Sequence, residues 1–152
     1  MTPALVRPDS WDFPLFLHLL GAFALVGGLF AASVLAVAAG RTQTSARLLT
    51  RLCFRALLFV VLPAFVVMRA GGQWIADRED VKGNPSWLGI GFAISDFGVV
   101  VLLALLVLGW LAARRTEDGR LSVLGRIVSV LAPLYLAALA VVWWAMTTKP
   151  GA

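Results

Sequence analysis

Four long apolar segments, separated by short polar ones, dominate the chain. They cover about residues 13–40, 47–76, 87–113 and 121–146. A helix needs about 20 apolar residues to cross roughly 30 Å of hydrocarbon, so each segment is long enough to span a bilayer. The pattern therefore predicts an all-α fold, a four-helix transmembrane bundle that forms a single domain over residues 1–152.

The second apolar segment is the least regular. Its charge-free centre, 56–68, would cover only about 20 Å as a helix. The span must therefore include Arg51, Arg55 and Arg69, and continue past Arg69 to Ala76. Pro63 lies in its middle, where a proline is expected to kink a helix.

The basic residues indicate the orientation of the bundle. Eight of them lie in the first and third connections and their flanks, against five in the termini and the second connection. Short loops rich in Lys and Arg stay on the cytoplasmic side, so both termini are predicted to lie on the outer side. Most of the tryptophans then fall at the outer interface, which such rings prefer: Trp11, Trp74, Trp87, Trp143 and Trp144.

Composition agrees with a membrane protein. Of 152 residues, 61% are apolar and only 14% charged, which argues against a soluble enzyme, a disordered protein or a disulfide scaffold. The net charge of +5 does not indicate a nucleic-acid partner, because the basic residues cluster at the ends of apolar segments. The single cysteine, Cys53, is expected to be a small core residue. The excess of arginine over lysine, with abundant Ala, Gly, Leu and Val, suggests a bacterial plasma membrane.

Small residues recur along one face of the first helix. Gly28, Ala32 and Ala36 are four residues apart and therefore share that face. Such faces let membrane helices approach closely. They predict packing within the bundle, with a contact between two copies of the chain as the alternative.

Apart from the arginines at the cytoplasmic ends of the predicted spans, three ionisable residues lie within them: His18, Arg69 and Asp96. Counted at about 1.5 Å per residue, all three lie roughly 8–13 Å inside the outer helix ends. Ionisable groups at such depths are costly, and an unpaired one would cost several kcal/mol. The simplest prediction is an ion pair between Arg69 and Asp96 that joins the second and third helices.

The same residues permit a functional hypothesis, an outward-facing polar binding site. In it Arg69 holds an anionic or carbonyl group, Asp96 orients that group, and His18 exchanges a proton. Gln73 and Trp74, one turn above Arg69, complete the list of candidate ligand-binding residues. Four spans are few for a carrier acting alone, so a transport role would require an oligomer.

A metal or haem site is a weaker alternative. His18 with the thioethers of Met68 and Met146 would be a soft set suited to Cu(I), or a His/Met axial pair for haem. A second histidine and a Cys-x-x-Cys-His motif are both missing from the sequence. These gaps argue against bis-histidine haem b in one chain and against covalent haem c. We therefore predict no cofactor.

The sequence favours no enzymatic activity and offers no catalytic residue. It has no carboxylate pair of the kind that hydrolases use, and its glycine pairs lack the strand–turn–helix context of phosphate loops. The prediction is a structural or accessory subunit of a membrane assembly. Its partners would be the lipid bilayer and either copies of itself or a larger membrane complex.

Two short motifs carry a resemblance to known proteins. The stretch His18–Ala22, followed by Val26–Leu29, resembles the first helix of small bacterial integral membrane proteins. These include uncharacterised four-helix families and, more remotely, the copper-resistance CopD-like group. The closing stretch 143–150 resembles the end of such four-helix proteins. The resemblance implies a multi-pass plasma-membrane protein without an assigned activity. CopD-like proteins have more spans, and this chain has a single histidine, so a copper role is not implied.

Overall fold

The computed structural model describes residues 12–42, 44–79 and 86–148. In chain order its helices are α1 (Asp12–Arg41), α2 (Ala46–Ala56), a π-helical segment (Leu57–Val61), α3 (Leu62–Glu79), α4 (Ser86–Arg115) and α5 (Val123–Thr148). From α2 to α3 the chain is continuously helical and forms the second long helix. The four long helices of the described residues coincide to within three residues with the apolar segments of the sequence. The all-α four-helix bundle is confirmed.

The second long helix widens at the π-helical segment. Pro63, at the start of α3, lacks a backbone N–H and crowds the residue four positions earlier, Phe59. Insertion of a wider π-turn just before a proline is one way in which a helix absorbs that conflict. The distortion expected at Pro63 takes this form. The widened turn faces α1, because a Cβ built on Gly28 would lie 2.8 Å from Val60 Cγ1.

The bundle is ordered as a ring of four helices. α1 packs along the whole second long helix and against α5, while α4 packs against α5, α2 and the π-helical segment. The core lies on the common axis and receives side chains from every long helix: Leu25, Leu29, Leu57, Val61, Leu102, Leu105, Val128 and Ala132. In lipid the association of such helices depends on close packing rather than on the hydrophobic effect.

The small residues of α1 serve this packing. Ala32 and Ala36 are buried, and Gly28 contacts the valines of the π-helical segment. Packing within the bundle is therefore confirmed for this face, which is covered by the chain itself and not left for a second copy. Cys53 is also buried in the core, as expected.

The first and third connections meet at one end of the bundle. The backbone N–H of Arg47 donates to Oδ1 of Asp118 at 3.3 Å, and Gly40 lies beside Leu121. The chain turns at Asp118-Gly119, where Gly119 has φ 89°. We call this the arginine-rich end (residues 41–47 and 114–126). The opposite end, where α1 and α4 begin and α3 and α5 finish, is called the far end.

The outer surface of the bundle is apolar along its length. On α4 the exposed side chains Val100, Leu103 and Val107 follow helical spacing, and we call them the α4 apolar face. The corresponding α5 apolar face consists of Val123, Ile127, Val130 and Leu134. Within the described residues, four helices are long and apolar enough to cross a membrane. This is the construction of a multi-pass membrane protein.

Candidate functional site

At the far end, glycines bring the backbones of α1 and α3 into contact. A Cβ built on Gly71 would lie 2.6 Å from the backbone nitrogen of His18 and 2.8 Å from the carbonyl oxygen of Pro14. A Cβ on Gly21 would collide with the backbone of Met68. Neither glycine accepts a larger residue unless the helices move apart. At these two points the contact leaves no room for a bound molecule between α1 and α3.

This contact positions the ring of His18. Its Nδ1 lies 2.8 Å from the carbonyl oxygen of Met68. A carbonyl oxygen only accepts, so Nδ1 carries a proton and donates it; in the neutral form of the ring, Nε2 then keeps its lone pair. Gly72 makes room for the ring, because a Cβ there would lie 2.9 Å from Nδ1. The hydrogen bond therefore holds His18 against the backbone of α3.

The ion pair expected between Arg69 and Asp96 is present. Nη2 of Arg69 donates to Oδ1 of Asp96 at 2.7 Å and joins α3 to α4. The Arg69 side chain is 32% exposed and that of Asp96 65% exposed. Most contacts of α4 with the second long helix lie nearer the arginine-rich end, on α2 and the π-helical segment. The pair therefore links two helices where they otherwise touch little.

The depth of this level in a bilayer depends on where the hydrocarbon begins. α1 and α4 each have 30 residues, or about 45 Å, and so exceed roughly 30 Å of hydrocarbon by about 15 Å. Asp96 lies about 28 Å from Arg115 along α4, and His18 about 34 Å from Arg41 along α1. If these arginines mark one border of the hydrocarbon, His18, Arg69 and Asp96 lie near the other border. Water then reaches the exposed carboxylate of Asp96.

Gln73 and Trp74 are engaged in contacts of their own. The amide of Gln73 donates from Nε2 to Oδ1 of Asp77 at 2.9 Å, one turn further along α3. The Trp74 ring packs edge-to-face on Phe13 of α1, with centroids 6.2 Å apart. Both therefore continue the α1–α3 contact and the surface of α3 beyond the level of Arg69.

The three ionisable residues thus share a level but are engaged in separate contacts. Met68, which accepts from His18, directly precedes Arg69, so the expected common height is confirmed. His18, however, is bound to the backbone of α3, whereas Arg69 reaches across to α4. Chemically, the arrangement provides two contacts between helices, one exposed carboxylate, and one imidazole nitrogen, Nε2, without a hydrogen-bond partner among the described residues.

The proposed metal set receives no geometric support from its thioethers. Met68 offers its carbonyl oxygen to His18, while its side chain packs against the core. The side chain of Met146 lies outside the described residues. In the described part of the chain, no group of three or more His, Cys, Asp or Glu side chains is placed to hold a metal ion.

Two polar features were missed by sequence reasoning. The hydroxyl of Tyr135 on α5 is buried against Gly98 of α4 and has no hydrogen-bond partner among the described residues. At the arginine-rich end, clefts open beside Arg120 and Arg126. The arginine clusters were visible in the sequence, but membrane orientation alone accounted for them.

Comparison with protein-family models, with curated proteins and with solved structures returned no match. The resemblance of the first helix to the CopD-like group stays a prediction.

Proposed function

We propose that this chain is a structural or accessory subunit of an assembly in a bacterial plasma membrane. The observation that carries the proposal is the use of polar groups at the far end. His18 is bound to a backbone carbonyl, and Arg69 is bound to Asp96. These contacts connect helices, which is the role expected of a packing module and not of a substrate cavity.

The partner in this proposal is a transmembrane helix that contacts α4. Asp96 lies on the same side of α4 as Val100, one turn apart, and its carboxylate is accessible beside the α4 apolar face. A polar side chain on a neighbouring helix would gain a charge-assisted hydrogen bond there, in addition to close apolar packing. At the other end of the helix, the Arg114 guanidinium stacks on Trp110 at 4.0 Å and ends the apolar surface.

Site-directed photo-crosslinking in native membranes tests this role. A photoreactive residue at Val100 should give a crosslinked product of one defined mass, and Asp96→Asn should abolish that product. Leu134 on the α5 apolar face is the matched control, since Val100 is 61% and Leu134 60% exposed. Equal products from both positions, or none from Val100, would contradict the proposal.

A small-molecule or ion binder, with the transport role that follows from it, is the second candidate. It is favoured by the exposed carboxylate of Asp96 and the free Nε2 of His18. Thermal unfolding of the purified protein would be followed in the presence of small carboxylates and of monovalent and divalent cations. Stabilisation by one of them that is lost in Asp96→Asn would favour this candidate over the structural role.

Haem or copper binding through His18 is a separate alternative, resting on the same free Nε2. An absorbance scan and elemental analysis of the purified protein test it directly. A Soret band or stoichiometric copper that disappears in His18→Ala would establish this role. Protein purified from native membranes without either would remove it.

A further inference from the structure

Two clefts lie side by side at the arginine-rich end of the bundle. The first, with a volume of about 340 Å³, lies beside the turn before α5 and is lined by Arg115, Glu117, Arg120, Ser122 and Arg126, among others. The second, of about 320 Å³, lies between the end of α1 and the start of α5. It is lined by Arg41, Thr42, Arg120, Arg126 and Ser129, among others. Because both clefts share Arg120 and Arg126, they form one continuous cationic surface, which we call the arginine cleft.

Among the described residues, carboxylates do not neutralise the charge of the arginine cleft. Four guanidinium groups line it, against the single carboxylate of Glu117. In the described ranges, the recorded ion pair is that of Arg69 with Asp96 at the opposite end. Guanidinium groups form paired, charge-assisted hydrogen bonds with phosphate oxygens, so an unneutralised group of them favours an anion of that type.

The local backbone supports the same preference. The cleft opens at the start of α5, a helix of 26 residues, whose first-turn N–H groups and dipole favour negative charge. The Ser122 hydroxyl accepts the N–H of Gly125 at 3.1 Å and so satisfies one of these groups. The N–H of Arg126 donates to the carbonyl oxygen of Ser122 at 3.1 Å, so the backbone of this first turn is held in place beside the cleft.

The apolar surface next to the cleft favours a lipid over a free anion as the ligand. Val123 both lines the cleft and begins the α5 apolar face, with 71% of its side chain exposed. From there Ile127, Val130 and Leu134 continue the exposed face toward the bilayer centre. A phosphodiester held at the cleft would therefore have an apolar track for its acyl chains directly beneath it, which a free phosphate would not use.

We propose that the arginine cleft binds the phosphodiester headgroup of an anionic phospholipid, with its acyl chains lying along the α5 apolar face. Arg120 and Arg126 are the central anion ligands, because they line both clefts. If the arginine-rich end faces the cytoplasm, the lipid comes from the inner leaflet. Basic pockets between helices on that side are a recurring mode of binding for anionic headgroups.

Native mass spectrometry of the full chain, titrated with phosphatidylglycerol or phosphatidylcholine, tests the proposal. Phosphatidylglycerol should bind in preference. Arg120→Gln combined with Arg126→Gln should weaken that binding about 25-fold, a factor of roughly five for each arginine lost. The matched control is Arg51→Gln with Arg55→Gln, which removes the same charge from exposed positions of α2 outside the clefts.

The outcomes distinguish specific lipid binding at the arginine cleft from nonspecific attraction of anionic lipid to the positive charge of the protein. Weakening confined to the cleft variant supports the proposal. Equal weakening in both double variants, or equal binding of the two lipids, overturns it. Complete displacement of the lipid by excess inorganic phosphate would show a free-phosphate site and also overturn it. Should the double variant fail to fold by circular dichroism, Arg120→Gln alone tests the same point on an exposed turn, with about fivefold weakening expected.

Discussion

At the far end of the bundle the backbones of α1 and α3 touch at Gly21 and Gly71. At the arginine-rich end α1 and α5 enclose a cleft of about 320 Å³. The arginines at the two ends also differ in whether they have a partner among the described residues. Arg69 at the far end is paired with a carboxylate, whereas Arg120 and Arg126 face a cleft. One bundle thus pairs its polar side chains between helices at one end and leaves them facing a cleft at the other. The predictions below measure that difference as stability.

The largest effect is expected at the helix contact of the far end. In Gly21→Ala the new methyl group would meet the backbone of Met68, which cannot move aside as a flexible side chain would. Overpacking of this kind should lower the free energy of unfolding by about 2–3 kcal/mol. Denaturant unfolding in a fixed mixed micelle would measure the loss.

Gly27→Ala is the matched control for that substitution. It is a glycine of the same helix with nothing within 4 Å of a built Cβ. Stability should be unchanged, or should rise by up to about 1 kcal/mol because alanine favours helix. If the two variants unfolded alike, α1 and α3 would not touch as described, and the closed character of the far end would be lost.

A smaller effect is expected from reversing the ion pair. Arg69→Asp and Asp96→Arg should each cost about 1 kcal/mol, and the double swap should recover most of it, because an exposed pair near water contributes little. The same experiment reports the depth of the pair. Single-variant losses of several kcal/mol would place it within hydrocarbon and contradict its position near the border.

Features that depend on neighbouring residues in the chain could be predicted from the sequence, whereas contacts between distant residues could be predicted only in part. The helices follow from local hydrophobicity, so the apolar segments matched α1 to α5 closely. The pairing of Arg69 with Asp96 was also predictable, since Asp96 is the one charge of its predicted span, Arg69 lies at a similar level on the neighbouring helix, and each needs a partner. The partner of His18 was not, because a backbone carbonyl such as that of Met68 is supplied by every residue and leaves no mark in the sequence.

The arginine cleft was unpredictable for a different reason. Its walls come from α1, the end of α4, the turn before α5 and α5 itself, so it exists only once these elements have met. The depth of His18, Arg69 and Asp96 in the bilayer stays a prediction, because helix length and hydrocarbon thickness are different quantities. In α1 and α4 the two differ by about 15 Å.

The connection that holds the arginine-rich end together should be weaker than either contact above. In Asp118→Ala the backbone N–H of Arg47 loses its 3.3 Å partner, but that group is exposed and water replaces the bond. We expect a loss of about 0.5–1 kcal/mol. Glu117→Ala, the exposed neighbour, serves as the control and should change stability less; a loss as large as that at the far end would remove the contrast between the two ends.

The smallest effect is expected at the arginine cleft. Arg120→Gln removes a guanidinium that is in no recorded ion pair among the described residues, so in neutral detergent the stability should change by no more than about 0.5 kcal/mol. The sign of this change in stability is also predicted. Neighbouring guanidinium groups repel one another, so the variant should be equal to or slightly more stable than the parent chain at low salt, and added salt should reduce the difference by screening. A clear loss of stability in neutral detergent would show that Arg120 holds the bundle together, and both ends would then use their charges for the same purpose.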